Sequence, residues 1–334
     1  MNVYALREGF TDTQSGWLTA VAPYLDMVER KIEQTIASDV PAAYHLSMRL
    51  FSAGGKRIRP ALAILSALAS DGSADTTRLI DFAVATELVH MASLVHDDVV
   101  DETSKRRGAP TANSLWGNKI SVLGGDFLLS KAFGLLARDV DSEIIRVLSG
   151  AAVKMTEGEL LQACSEGDFA AWEANYWTII EGKCAAFMSA CCECGAIIAG
   201  AQFAARAALA EYGLQIGYAF QITDDLLDIT GDPSVTGKET GADLVHGKFT
   251  LPVLLACEDA EERRLLIESG RIGITRDKAL EVTNRVIACG AAERAANLAN
   301  ECAEKAVAQL ACLPDSEFKA GLEGLAGALT GRKV

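Results

Sequence analysis

Apolar positions recur at intervals of three and four along most of the chain, and no run alternates as a half-buried strand does. The pattern predicts an all-α protein, a bundle of about ten or more helices and too long for a four-helix bundle. Pro23, Pro41, Pro60, Pro110, Pro233, Pro252 and Pro314 all fall where breaks between helices are otherwise suggested. Pro60 suits a first helical position, because PALAILSALA follows it. No Ser/Gly-rich linker, charge block or internal repeat divides the chain, so residues 1–334 are expected to form a single domain.

One segment is apolar nearly all round. Residues 82–101, FAVATELVHMASLVHDDVVD, predict a helix buried inside the bundle. At the helical turn per residue, Glu87, His90, Asp97, Asp98 and Asp101 nevertheless share a stripe about 100° wide. Unpaired in an apolar interior, these carboxylates would repel one another and lose their hydration. The cluster is therefore either a solvated helix end or a site for a divalent cation. Residues 221–232, QITDDLLDITGD, repeat the spacing with Asp224, Asp225 and Asp228. Aspartate is 21 of 334 residues, so chance supplies such a triplet roughly 0.08 times per chain, and the second copy favours the cation site. Carboxylate clusters without His or Cys select hard cations, and an incomplete shell suits Mg²⁺, which keeps waters and takes phosphate oxygens. Neither triplet has the alternating ligands and central glycine of an EF-hand loop. Such a site awaits a diphosphate.

Charge and composition narrow the partners. A net charge of −14 and a pI of about 4.8 argue against a general nucleic-acid binder. No uninterrupted apolar stretch reaches membrane-spanning length, and the MNVYALREGF start lacks the pattern of a secretory signal. The nine cysteines follow no disulfide framework, and ACCECG has no second Cys/His pair at zinc spacing, so they are expected as small core residues in a cytoplasmic protein. Within this acidic chain the cations are placed selectively. GGKRIRP sets Lys56, Arg57 and Arg59 in a glycine loop before a helix N-terminus, an anion site by backbone N–H groups and guanidinium together. SKRRGAP puts Arg106 and Arg107 after the first triplet, and Lys238 and Lys248 follow the second.

These motifs, in order GGKRIRP, LVHDDVVDETSKRRGAPTAN, GGDFLLSKAF, EGKCAAF, QITDDLLDITGD and GKETGADLVHGKFTLP, closely resemble those of the trans-isoprenyl diphosphate synthases of the polyprenyl synthetase family, most of all its long-chain, octaprenyl-type members. The resemblance runs from about Gly54 to Pro252 and continues weakly beyond. It implies an isoprenoid-synthase helical bundle around a central cavity, with about three Mg²⁺ ions joining a diphosphate to the aspartates. Asp97, Asp98, Asp101, Asp224, Asp225 and Asp228 are then metal ligands. Lys56, Arg59, His90 and Arg107 resemble an isopentenyl diphosphate site. Arg106, Lys183, Lys238 and Lys248 resemble contacts to an allylic diphosphate, farnesyl diphosphate being the expected primer, with Gln221 near the reacting carbons. Arg57 supports the loop. The family also implies a cytoplasmic homodimer without a membrane span. Cys184, Ala242 and Phe249 stand where the family often has Thr, Asp and Pro; none of the three removes a metal ligand.

A class I terpene cyclase carries a different second motif, a non-catalytic synthase subunit would tolerate loss of one triplet, and a structural helical protein would not need the ordered basic motifs. Product length is read from Ala92 and Ser93, one turn before Asp97, where short-chain members typically place a bulky aromatic. Both are small here, so a product of about C30 to C50, near C40 and suited to a quinone side chain, is expected, with a floor at a deeper residue such as Leu136 or Leu148. A farnesyl or geranylgeranyl diphosphate synthase is the alternative.

Overall fold

The computed structural model describes residues 16–70, 74–106, 109–139, 141–231, 240–257, 263 and 274–331. Helix follows helix: α1 (Gly16–Thr35), α2 (Pro41–Ser52), α3 (Ile58–Ala69), α4 (Thr76–Val100), α5 (Ala112–Leu136), α6 (Ser142–Ser165) and α7 (Phe169–Ile180). After a π-helical turn at Glu181–Ala185 come α8 (Ala186–Ile198), α9 (Phe203–Thr230), α10 (Ala242–Val245), α11 (Leu251–Ala256), α12 (Arg276–Ala288), α13 (Ala291–Gln309) and α14 (Glu317–Thr330). The expected all-α class holds. Among the described residues the strands are β1 (Lys105–Arg106) and β2 (Ala109–Pro110), an antiparallel ladder pairing Lys105 with Pro110 and Arg106 with Ala109. Two residues are too few to display a period of two, which is why the ladder left no mark on the pattern.

Pro233 lies outside the described residues, and among the other prolines one needs correction. Pro23 lies inside α1, not at a break. Its ring leaves one carbonyl of the preceding turn without a helical donor, but Trp17, Leu18, Val21, Leu25, Val28 and Ile32 bury one face of α1 and keep it helical. Pro60 is the third residue of α3, still in the first turn, where a missing N–H breaks no helical bond.

The described residues divide into two compact units. Of these residues the first takes in 16–148, Cys191–Ala210 and Ala311–Leu325, and the second takes in Ser149–Ala190, Glu211–Leu310 and 326–331. The first is organised on α4, which packs against α1, α3 and α5 and is therefore apolar nearly all round. The Asp75 carboxylate caps α4, accepting from the amides of Thr77 and Arg78 at 2.8 and 3.1 Å. By length and composition α4 could cross a membrane, but most of that stretch is buried inside the protein, as in a core helix. Cys191, Cys192 and Cys194 are buried as expected of core residues, and burial pushes the Cys192 thiol up to about 12, but Cys164, Cys289 and Cys312 are exposed, so the expectation fails for those three.

The second unit is centred on α7. Phe169, Trp172 and Tyr176 join Phe249, Leu251 and the inner faces of α12 and α13 in one apolar cluster. Phe249, one of the departures from the family pattern, is fully buried and meets Phe169 edge-on at 5.3 Å.

Candidate active site

The first triplet closes α4. Asp97 and Asp101 are half-buried, one turn apart, and the Asp101 amide donates to the Asp97 carbonyl at 2.8 Å. Asp98 is only 2% exposed. Arg106 Nε of β1 donates to its Oδ1 at 2.8 Å, and Asn113 Nδ2 of α5 holds its carbonyl at 2.9 Å. Burial pushes the Asp98 carboxyl above the usual carboxylate range, and the Arg106 guanidinium pulls part of the way back. Carboxylates at the carbonyl end of a helix, where the dipole is negative, form a site that favours cations.

The second triplet lies in the last turns of α9. Asp224 is exposed and Asp228 half-buried, while Asp225 is 4% exposed. Both oxygens of Asp225 are engaged: Tyr176 Oη donates to Oδ2 at 2.7 Å and Gln221 Nε2 donates to Oδ1 at 3.0 Å. Burial and the neighbouring Asp243 push Asp225 up to about 8, against the pull of those two hydrogen bonds. Tyr176 is pushed well above its ordinary value, by burial first and then by Asp225, so it stays the donor. Asp228 is fixed from the following segment: the Gly241 amide donates to its carbonyl at 2.8 Å, and the Asp243 amide approaches its carboxylate at 3.3 Å.

Lys183 sits in the π-helical turn, with Nζ 3.0 Å from Glu159 Oε1 and donating to Gln162 Oε1 at 3.1 Å, both on α6. The turn lies tight against α6. A Cβ on Gly182 would stand 2.6 Å from the Lys154 carbonyl, so only glycine admits this approach. Glu181 beside it accepts from Lys154 Nζ at 2.6 Å and from Tyr218 Oη at 2.9 Å. Single π-turns of this kind concentrate at functional sites. Cys184 is buried, and Lys248 is 9% exposed, its amide donating to the Asp243 carbonyl at 2.8 Å.

In the first unit, Lys56 and Arg59 flank the start of α3 and are half-buried, as is His90 on α4. Between the two cations Arg57 is buried, bonded to Glu29 and Glu87. Those carboxylates outweigh the opposing effect of burial and hold its guanidinium above the ordinary range. Ala92 is fully buried, and Ser93 Oγ donates to the His90 carbonyl at 2.9 Å. Leu136 and Leu148 are buried. Arg107 and Lys238 lie outside the described residues. Among the described residues no three Asp, Glu, His or Cys side chains form a ready metal cage.

Sequence reasoning missed Tyr176, Glu29, Glu159, Gln162 and Asn113 as parts of these constellations. Asn113 had a signal, since it closes the GAPTAN end of a quoted motif. Tyr176 had none, because an aromatic in the apolar FAAWEANYWTII segment reads as core.

The arrangement defines a class before it defines a family: an all-helical protein with two aspartate triplets at helix ends and a basic loop at a helix start. The polyprenyl synthetase family model matches residues 40–286. The chain is 40% identical over 306 residues to the octaprenyl diphosphate synthase of Escherichia coli, covering 90% of this chain and 93% of that one. It is 37% identical over 313 residues to a short chain isoprenyl diphosphate synthase of Methanothermobacter thermautotrophicus, covering 91% and 94%. The crystal structure of a decaprenyl diphosphate synthase from Rhodobacter capsulatus superposes with a TM-score of 0.89 at 36% identity, covering 96% of this chain and 99% of that one. This chain belongs to the polyprenyl synthetase family.

Proposed function

We propose that the protein condenses isopentenyl diphosphate with an allylic diphosphate, head to tail and with trans geometry, to make a long-chain polyprenyl diphosphate. The observation that carries this is the matched pair of triplets, each with its middle carboxylate tied into the protein and its outer carboxylates half-buried or exposed. That donor set is all oxygen and incomplete, which fits Mg²⁺ completed by water and phosphate oxygens. Asp97, Asp101, Asp224 and Asp228 would hold the ions; Asp98 and Asp225, expected as ligands too, are engaged by Arg106 and by Tyr176 and Gln221 and would orient the outer carboxylates instead. Bound Mg²⁺ supplies neutralisation of the charge that develops on the departing diphosphate.

Lys56, Arg59, His90 and Arg107 hold isopentenyl diphosphate in register. Arg106, Lys183, Lys238 and Lys248 take the allylic diphosphate, with Gln221 beside the reacting carbons. Arg106 is preset by Asp98, and Lys183 by Glu159 and Gln162, so little reorganisation accompanies charge development. The allylic C1–O bond breaks and its electron pair leaves with the diphosphate. The double bond of isopentenyl diphosphate attacks C1, a proton passes to the released diphosphate, and the chain has grown by one prenyl unit.

Small side chains at Ala92 and Ser93 leave the tail's path open along α4 and support a product of about C30 to C50, a quinone side-chain precursor. The likeness to the Methanothermobacter enzyme favours the second reading, a short product. Incubation with farnesyl diphosphate, labelled isopentenyl diphosphate and Mg²⁺, followed by product chromatography, tests both. No incorporation with any primer overturns the activity, and a wild-type product of about C20 or shorter overturns the open path. Ala92→Phe is expected to shorten the product to about C15–C20 and to spare the first condensation. Leu115, Trp116, Val122, Leu123 and Phe133 leave an exposed apolar stripe on α5, which supports a homodimer. Light scattering at a single-chain mass of 35.4 kDa would contradict it.

A further inference from the structure

We propose that Arg57 is a positioning residue for isopentenyl diphosphate: its buried guanidinium locks the Gly54–Arg57 loop to α1 and α4 and so holds Lys56 and Arg59 in register with His90. The inference rests on the assignment of Lys56, Arg59 and His90 to that substrate.

Arg57 caps α3 with φ 48° and ψ 38°, left-handed backbone that a residue with a side chain adopts only when its surroundings impose it. The surroundings here are ionic. The side chain is 3% exposed and spends its fork in three directions. Nε donates to Glu29 Oε1 on α1 at 2.6 Å, Nη1 to Glu87 Oε1 on α4 at 2.7 Å, and Nη2 to the Phe51 carbonyl on α2 at 3.4 Å. The guanidinium also lies 5.4 Å from the centre of the Phe51 ring. A lysine ammonium has no planar fork with which to reproduce this set.

The loop is shaped to admit it. A Cβ on Gly55 would come within 3.1 Å of Arg57 Nη1 and 3.9 Å of Glu87 Oε1, crowding the bond between them. Glu87 in turn precedes His90 by three positions on α4, so the two side chains share a helix face. One buried ion pair therefore joins the backbone directly after Lys56, two residues before Arg59, to the helix that carries His90. Stability alone gives a weak reason for the network, since apolar side chains of similar volume usually do as well in such a place. Glu29 Oε2 is buried without a hydrogen-bond partner among the described residues, a defect that an apolar trio would remove. What the apolar trio would not supply is the direction of the loop.

The test separates stability from register. Arg57→Lys is expected to raise KM for isopentenyl diphosphate about tenfold, with KM for farnesyl diphosphate changed less than about twofold. The triple replacement Glu29→Met, Arg57→Met, Glu87→Met is expected to restore the melting temperature and leave KM for isopentenyl diphosphate high. Wild-type KM in either protein, or an equal rise in both KM values, overturns the role of Arg57. Lys56→Ala and Arg59→Ala run alongside: if neither weakens isopentenyl diphosphate, the site assignment itself fails, whatever Arg57 does.

Discussion

The two aspartate triplets share a spacing and a helical setting and differ in what faces their middle carboxylate. Asp98 meets a guanidinium, Arg106, whereas Asp225 meets two neutral donors, Tyr176 and Gln221, with Asp243 as a further negative neighbour. Burial is nearly the same, 2% and 4% exposed. Both carboxyls are raised, Asp98 against the pull of the Arg106 guanidinium, and Asp225, with Asp243 beside it, up to about 8. A full positive charge facing a buried carboxylate opposes its desolvation, whereas at Asp225 neutral donors work against both burial and a second carboxylate.

The outer carboxylates should erase this distinction. Asp97→Ala and Asp224→Ala are each expected to cut turnover by about a thousandfold or more in a protein that stays folded by circular dichroism, because charge stabilisation at the leaving group is the largest catalytic contribution. EDTA should abolish activity in the same assay, with recovery on adding Mg²⁺. Near-normal turnover in either variant breaks the parallel between the triplets.

The middle carboxylates should sharpen it. Asp98→Asn leaves Arg106 without its counter-charge and is expected to cost about 1–3 kcal/mol in urea unfolding. Asp225→Asn keeps a neutral group among neutral donors and should cost far less. Equal losses would mean that the partners, charged or not, matter only as hydrogen bonds.

The smallest effect is a slope. Asp225 is raised from 3.8 to about 8, so the folded metal-free protein retains a proton that the unfolded chain gives up between those values. This contribution is complete below the unfolded pKa and is lost as pH rises through the folded one. Stability without metal should therefore fall from about pH 4 towards pH 8, and Asp225→Asn should flatten that fall, measured by thermal melts in buffers containing EDTA.

Much of this was legible in the residues. The spacing of Asp97, Asp98 and Asp101 on an apolar helix, its repeat at Asp224, Asp225 and Asp228, and the glycine loop around Lys56 followed from periodicity and residue chemistry alone. Pro23 was misplaced because proline chemistry is local, while the burial of α1 that keeps it helical is not. The partners of the middle carboxylates were also out of reach, except for Arg106, eight residues from Asp98.

Helical periodicity is a property of neighbours in the chain, so the sequence by itself determined the all-α class and the repeated spacing of the two triplets. The tertiary structure alone decided that Tyr176 reaches across 49 residues to Asp225, and that Arg57 reaches 28 and 30 residues to Glu29 and Glu87. Those contacts come from which helices pack together, and with them came the difference in partners between two triplets that read alike.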